Sequence, residues 1–363
     1  METTISKTTA ERPTLAWLRQ NRGTLAVLVV LLLLPFIIAI IDGQSISSVL
    51  ANESGNSKFF QGLLIEIFIL GLFALSYDLL LGITGLLSLG HAMFFAVGGY
   101  LTGILIKSFG WGLVPTIAAV TVAAIVQALL FAVVLPRVKG LTFALVTLGF
   151  ASVFHIVVQS REAAPFTGAD VGLQGVVIPA FLDPVDQRLR VYFIALLITM
   201  VVYFLYQRFV DSPTGRVCIA IRENEDRALM LGYNTFQYKV IVLLISSLTA
   251  AFAGMLHTIH QPIVSPNIAG LGYMVIALLI ILIGGVGTLS GALIGAAVFR
   301  LLDFFIDRWF GEAATFLLGV IYVLLVLFVP FGIVGTWRQH SSQFTHQIEA
   351  IIERLRPKKE NPE

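Results

Sequence analysis

Ten apolar runs, each close to the length a helix needs to cross a bilayer, follow one another along this chain with mostly short polar segments between them. A hydrocarbon core about 30 Å thick calls for roughly 17 to 25 predominantly apolar residues per helix. By that ruler the runs are 24–41, 60–80, 91–107, 112–135, 141–159, 191–209, 240–260, 271–287, 292–306 and 314–334. With 57% hydrophobic and 12% charged residues, 363 residues folded around one aqueous core would leave large apolar surface in water. The expectation is an all-α polytopic membrane protein of about ten transmembrane helices. Glycine clusters interrupt 82–107 and 271–306, which is the pattern of a discontinuous or re-entrant helix.

Lys and Arg are retained preferentially on the cytoplasmic side of a membrane. Here they gather before the first run (Lys7, Arg12, Arg19, Arg22), in a short loop (Arg137, Lys139), in a central loop (Arg216, Arg222, Arg227, Lys239) and after the last run (Arg338, Arg354, Arg356, Lys358, Lys359). Ten crossings put all four groups on one face, so both termini and the central loop are expected in the cytoplasm. The chain then reads as a cytoplasmic N-terminal segment 1–23, a membrane domain 24–336 and a basic cytoplasmic tail 337–363, whose cations suit anionic membrane lipid. A net charge of +2 gives no footprint for nucleic acid, and the single cysteine, Cys218, excludes an internal disulfide.

Enzymatic motifs are scarce. No Gly-x-x-x-x-Gly-Lys-Ser/Thr phosphate loop occurs, so nucleotide energy has to come from a partner. His257 and His260 share a helical face at i, i+3, but no cysteine or carboxylate near them in sequence completes a metal set, and no metal or cofactor is expected. His91 and His155 each stand alone in apolar surroundings, as hydrogen-bonded core histidines do. The ionisable groups within the runs are Glu66, Asp78, Arg300 and Asp303. Arg300 and Asp303 can pair along one helix, whereas Glu66 has no partner on its own and is the better candidate for a polar site or an interhelical bond.

Two segments combine small residues with hydroxyls, Gly82-Ile83-Thr84-Gly85-Leu86-Leu87-Ser88-Leu89-Gly90-His91 and Gly284-Gly285-Val286-Gly287-Thr288-Leu289-Ser290-Gly291. In a membrane such runs allow close helix packing or mark unwound backbone along a polar path. The central loop reads as a short amphipathic helix: Pro213 and Gly215 end the sixth run, Glu223, Glu225 and Asp226 enrich the first turns, and Gly232-Tyr233-Asn234 stops it. Arg222 and Asp226 are spaced to pair at i, i+4, while Ile221, Ala228, Leu229 and Met230 form an apolar side suited to a groove on a cytosolic protein.

These residues resemble the LivM-type permeases of branched-chain amino-acid ABC transporters. The likeness rests on Gly215-Arg216, Ala220-Ile221-Arg222-Glu223, Glu225, Ala228, Gly232 and Lys239, on Leu79 to Gly82 through Thr84 to His91 with Phe94-Phe95, on Thr167-Gly168 with Gly172-Leu173, and on Gly284 to Thr288. The resemblance implies a permease without an ATPase site of its own. Its implied partners are a sister permease, two cytosolic ATP-binding subunits and an extracytoplasmic solute-binding protein. It casts the central loop as the coupling helix, with Arg216, Arg222, Glu223, Glu225, Ala228 and Gly232 at the ATPase contact, although of the general importer pattern Glu-Ala-Ala-x-x-x-Gly only Ala228 and Gly232 match. Gly85, Ser88, Gly90, His91, Phe95 and Gly287 are the implied translocation path. The implied function is inward passage of branched-chain amino acids by ATP-driven alternating access. Urea or short amides are the alternative cargo, and an ATPase-independent secondary carrier and a membrane enzyme built on His257, His260 and Glu66 are the rival classes.

Overall fold

The computed structural model describes residues 22–53 and 55–337, and all ten apolar runs fall on helices. In chain order these are α1 (Arg22–Ile41), the short α2 (Ile46–Leu50), α3 (Asn56–Tyr77), α4 (Ala92–Phe109), α5 (Leu113–Val134), α6 (Leu141–Gln159), the single turn α7 (Ala164–Thr167) and α8 (Arg188–Asp211). There follow α9 (Pro213–Glu223), α10 (Glu225–Met230), α11 (Thr235–His260), α12 (Leu271–Gly284), α13 (Leu289–Phe310) and α14 (Ala314–Phe328). Eight segments are long and apolar enough to cross a bilayer, the last of them, Leu289–Trp337, taking in both α13 and α14, while α12 is a shorter apolar helix. Two-residue strands, β1 (Leu173–Gln174) and β2 (Ile263–Val264), pair antiparallel with Leu173 opposite Val264.

The chain forms two compact units, one up to Gln61 and one from Gly62 onward. In the first, Asn56 Nδ2 donates to Asp42 Oδ1 (2.6 Å) and Ser57 Oγ to the Pro35 carbonyl (2.7 Å), which fixes the first turn of α3 against the end of α1. The cations expected to set orientation at Lys7, Arg12 and Arg19, and those from Arg338 to Lys359, lie outside the described residues.

In the second unit, α4 and α11 pack with almost no side chain between them. Gly98 abuts the Ala251 carbonyl and Gly254 the Phe95 carbonyl, so closely that a Cβ at either would overlap backbone. Small residues are how membrane helices gain van der Waals contact when no hydrophobic driving force separates protein from lipid. Thr258 Oγ1 adds a hydrogen bond to the Gly99 carbonyl (3.0 Å). Ala251 also packs with Val120 and Ala124 of α5, all buried. The outward faces of α5, α6 and α14 carry Val114, Val122, Leu130, Leu145, Val153, Ile156, Phe316 and Leu327, all exposed, as suits a protein whose solvent is hydrocarbon.

Both glycine clusters break their helices. α3 widens into a π turn, Asp78–Ile83, before the chain runs on to α4, and α12 stops at Gly284 before α13 begins at Leu289. Two local expectations need correction. The break after α8 falls at Ser212, whose Oγ accepts from the Gly215 amide (3.2 Å), and Pro213 opens α9 instead of ending α8, since proline's fixed φ and missing N–H suit a first helical position. The central loop is two helices meeting at Asn224, whose Oδ1 caps the Arg227 amide (2.9 Å). That kink separates Arg222 from Asp226, and the anticipated i, i+4 pair is replaced by longer-range partners for both.

Candidate functional site

Three segments far apart in sequence meet at one end of the bundle. Arg222, on the last turn of α9, donates a guanidinium hydrogen bond to the Gly82 carbonyl inside the π turn. Asp78, which opens that turn, accepts from the Gly287 amide at 2.7 Å. Gly287 sits at φ +78°, and a Cβ there would lie 2.7 Å from Arg222 Nη1 and 3.0 Å from the Gly82 carbonyl oxygen. Only glycine meets both demands, a left-handed backbone and room for the guanidinium. The second oxygen of Asp78 is buried and has no hydrogen-bond partner among the described residues. The two glycine segments and the central loop therefore form one polar junction. A buried thiol adds to it: burial pushes Cys218 up to about 11, against a smaller opposing effect of its hydrogen bond with Thr84.

The second half of the central loop is tied to the bundle by charge. Lys239 Nζ donates to Glu225 Oε1 at 2.5 Å and Thr235 Oγ1 to the same oxygen at 3.0 Å, both from the start of α11. Lys139 Nζ, in the loop between α5 and α6, is 3.7 Å from Asp226 Oδ1 and 4.0 Å from Glu225 Oε2. Partial burial alone would raise the Glu225 carboxyl, but the Lys239 hydrogen bond and charge, with help from Thr235 and Lys139, bring it net below the usual carboxylate range. Two of the basic clusters read from the sequence, at 137–139 and 216–239, thus lie on the same side. Between them a cavity of about 230 Å³ is lined by Thr84, Gly85, Lys139, Arg222, Glu225 and Lys239 among others.

Arg222 is exposed over much of its surface while its guanidinium holds Gly82, Glu225 is half-buried, Arg216 and Glu223 are exposed, Ala228 is buried, and Gly232 sits exposed at φ +87°. Beside them Leu229, Met230 and Leu231 are open, Met230 at 86% and Leu231 at 71% of full exposure. Of the six residues assigned to the path, Gly85 and Gly287 are at the junction. Gly90 packs on the Thr147 carbonyl, and Ser88, His91 and Phe95 are fully buried. His91 Nε2 is 2.8 Å from Ser76 Oγ, whose own proton goes to the Phe73 carbonyl (2.6 Å). That arrangement makes Nε2 the donor and leaves Nδ1 bare and buried.

The rings of Phe73, Tyr77 and Phe94 surround His91, and Phe95 stacks among Phe73, His257 and Tyr273. Sequence reasoning passed over Phe73, Ser76 and Tyr273, and gave Asp78 little weight. The signal available was that Asp78 lies one helical turn before Gly82. The interhelical bond expected of Glu66 is present: Arg300 Nε donates to Glu66 Oε2 at 2.5 Å and Arg300 Nη1 to Asp303 Oδ2 at 2.7 Å. His155 Nδ1 bonds the Pro266 carbonyl at 3.0 Å. Among the described residues no group of three or more His, Cys, Asp or Glu side chains is arranged to hold a metal ion.

The site is thus a charged two-helix segment keyed into the breaks of an apolar helical bundle. Over 291 residues the chain is 28% identical to the high-affinity branched-chain amino acid transport system permease protein LivM of Salmonella typhimurium, covering 73% of this chain and 67% of that one. LivM of Escherichia coli is 27% identical over 288 residues with the same coverage, and LivH of Escherichia coli is 26% identical over 284 residues, covering 73% of this chain and 90% of LivH. No solved structure matches. Residues 59–329 match the family described as branched-chain amino acid transport system / permease component, so this chain belongs to that family of multi-pass ABC permease subunits, which carry no ATPase domain.

Proposed function

We propose that the chain is one of two permeases in an ABC importer that receives a branched-chain amino acid from a solute-binding protein and releases it inward by alternating access. Two cytosolic ATPases supply the work, and the 213–232 segment, with both chain termini, lies on their side of the membrane. The observation that carries this reading is the Arg222 bond to Gly82 beside the Asp78–Gly287 contact. It gives a displacement of α9 a direct path into both helix breaks, and transmission of that kind needs discrete packed contacts and not a flexible loop.

The docking element is the tip of α10. Leu229, Met230 and Leu231 form an exposed apolar run at the end of a segment that also exposes Arg216 and Glu223, which suits an apolar groove with a polar rim. Burying one such side chain contributes about 1.5–3 kcal/mol, so Met230→Glu is expected to weaken ATPase attachment by about tenfold or more. The test is co-purification of the ATPases with the permease pair, together with ATP-driven leucine uptake in proteoliposomes. Undiminished attachment and uptake in Met230→Glu would count against the docking role. Uptake by the wild-type permeases with no ATPase present would remove the importer reading itself.

A further inference from the structure

Building on the importer reading, we infer that Glu66 and Arg300, with Asp303, His260 and Gln261, form an exchange site at the C-terminal end of α11 for the two charged groups of a zwitterionic aliphatic α-amino acid. Glu66 on α3 and Arg300 on α13 meet beside the last residue of α11, His260, and its C-cap, Gln261. The Glu66 and Arg300 side chains are each 23% exposed and Asp303 is 42% exposed, where the outer faces of α5, α6 and α14 offer aliphatic and phenyl groups. Charged groups within apolar spans require water or protein beside them, so this face of α3 and α13 does not border lipid.

The bonding pattern says what can enter. The Arg300 guanidinium is held between two carboxylates, Glu66 and Asp303. Glu66 also accepts from Gln261 Nε2 (2.9 Å) and lies 3.9 Å from His260 Nε2, while His260 Nδ1 is buried with no hydrogen-bond partner among the described residues. A zwitterion can trade into this cluster with no change in net charge. Its carboxylate takes one place on Arg300, and the carboxylate released accepts its ammonium. A ligand with only one of those charges leaves a partly buried group unpaired, and a neutral one such as urea or an amide gives Arg300 and Glu66 no ionic replacement, so the trade runs uphill.

The adjoining rings fit the remainder of such a molecule. His257 is one turn before His260, its ring 5.5 Å from that of Phe95, and Phe95 in turn lies 5.0 Å from Phe73 and 4.9 Å from Tyr273. Phe73 follows Glu66 by two turns on the same face of α3. An aliphatic side chain directed from the ionic cluster toward the other end of α3 therefore meets aromatic surface, and the column continues through Ser76 and His91 to the Asp78 junction.

The test uses the complete importer in proteoliposomes with its binding protein loaded with tritiated leucine. Arg300→Gln and Glu66→Gln are each expected to cut uptake roughly 30-fold or more, with assembly and binding-protein-stimulated ATP hydrolysis retained. The charge-swapped pair Glu66→Arg with Arg300→Glu is expected to stay defective, because Gln261, His260 and Asp303 keep the original polarity around it. Normal uptake in either single variant, or rescue by the swap as for a merely structural ion pair, overturns the inference. If the single variants fail to assemble, Asp303→Asn decides the matter: a clear drop in uptake supports the exchange site and unchanged uptake refutes it. Absence of ATP-driven leucine uptake in the wild-type complex would instead refute the importer reading.

Discussion

Replacing Gly287 by alanine places a methyl group at the point where the central loop meets both helix breaks. The backbone there is left-handed, φ +78°, which costs an L-residue about 1–2 kcal/mol. The new Cβ would also stand 2.7 Å from Arg222 Nη1, so the guanidinium has to leave the Gly82 carbonyl. A hydrogen bond to a charged group contributes about 1.5–3 kcal/mol, and the two effects together come to about 3–5 kcal/mol. Gly149→Ala and Gly319→Ala serve as controls, since both glycines are helical and a Cβ at either meets nothing within 4 Å. There the added methyl should be neutral or stabilise slightly, by up to about 1 kcal/mol. Unfolding in mixed micelles gives the stabilities, and leucine uptake per ATP hydrolysed in proteoliposomes gives the coupling. Gly287→Ala is expected to lose both, with the controls unchanged. A Gly287→Ala protein indistinguishable from the controls would refute the reasoning that these three segments are locked together.

Gly254→Ala drives a methyl into the Phe95 carbonyl and has to push α4 and α11 apart, so a loss of about 1–3 kcal/mol in micelle unfolding is expected, well beyond either control. Glu225 is held net below its ordinary range, so its contribution is present above the unfolded carboxyl value of about 4.3 and is lost only as pH falls through the lower folded value. Hydrogen-exchange protection factors across 225–232, taken against the intrinsic rate at each pH, should accordingly stay constant from pH 8 to about 5 in wild type and be lower throughout that window in Glu225→Gln, since the neutral amide gives up the ion pair with Lys239.

How much could be read beforehand follows from which interactions are local. All ten helices were legible because apolar length is a property of each run alone, and the Arg300–Asp303 pair because i, i+3 neighbours meet on any helix. Glu66 was legible by default: with no partner on its own helix, a carboxylate at depth has to find one elsewhere. The kink at Asn224 was readable in principle, since an Asn followed by Glu225 and Asp226 is an N-cap with an acidic first turn, but the i, i+4 spacing of Arg222 and Asp226 pointed to an unbroken helix. The target of Arg222 was out of reach. Its acceptor is a backbone carbonyl 140 residues away, inside the stretch where α3 widens into a π turn, and no side-chain pattern marks a carbonyl. The aromatic column was hidden for a related reason, because Phe73 and Tyr273 look like any other apolar helix residues until α3, α4 and α12 are placed side by side.

The direct measurement is the number of leucine molecules imported per ATP hydrolysed by complexes carrying Arg222→Met, which keeps an unbranched apolar stem and removes the charge and donors. The account predicts ATP hydrolysis that continues and still responds to liganded binding protein while import falls away, because α9 has lost its grip on the Gly82 carbonyl. Wild-type stoichiometry in that variant would contradict the claim that work enters the membrane bundle through this contact.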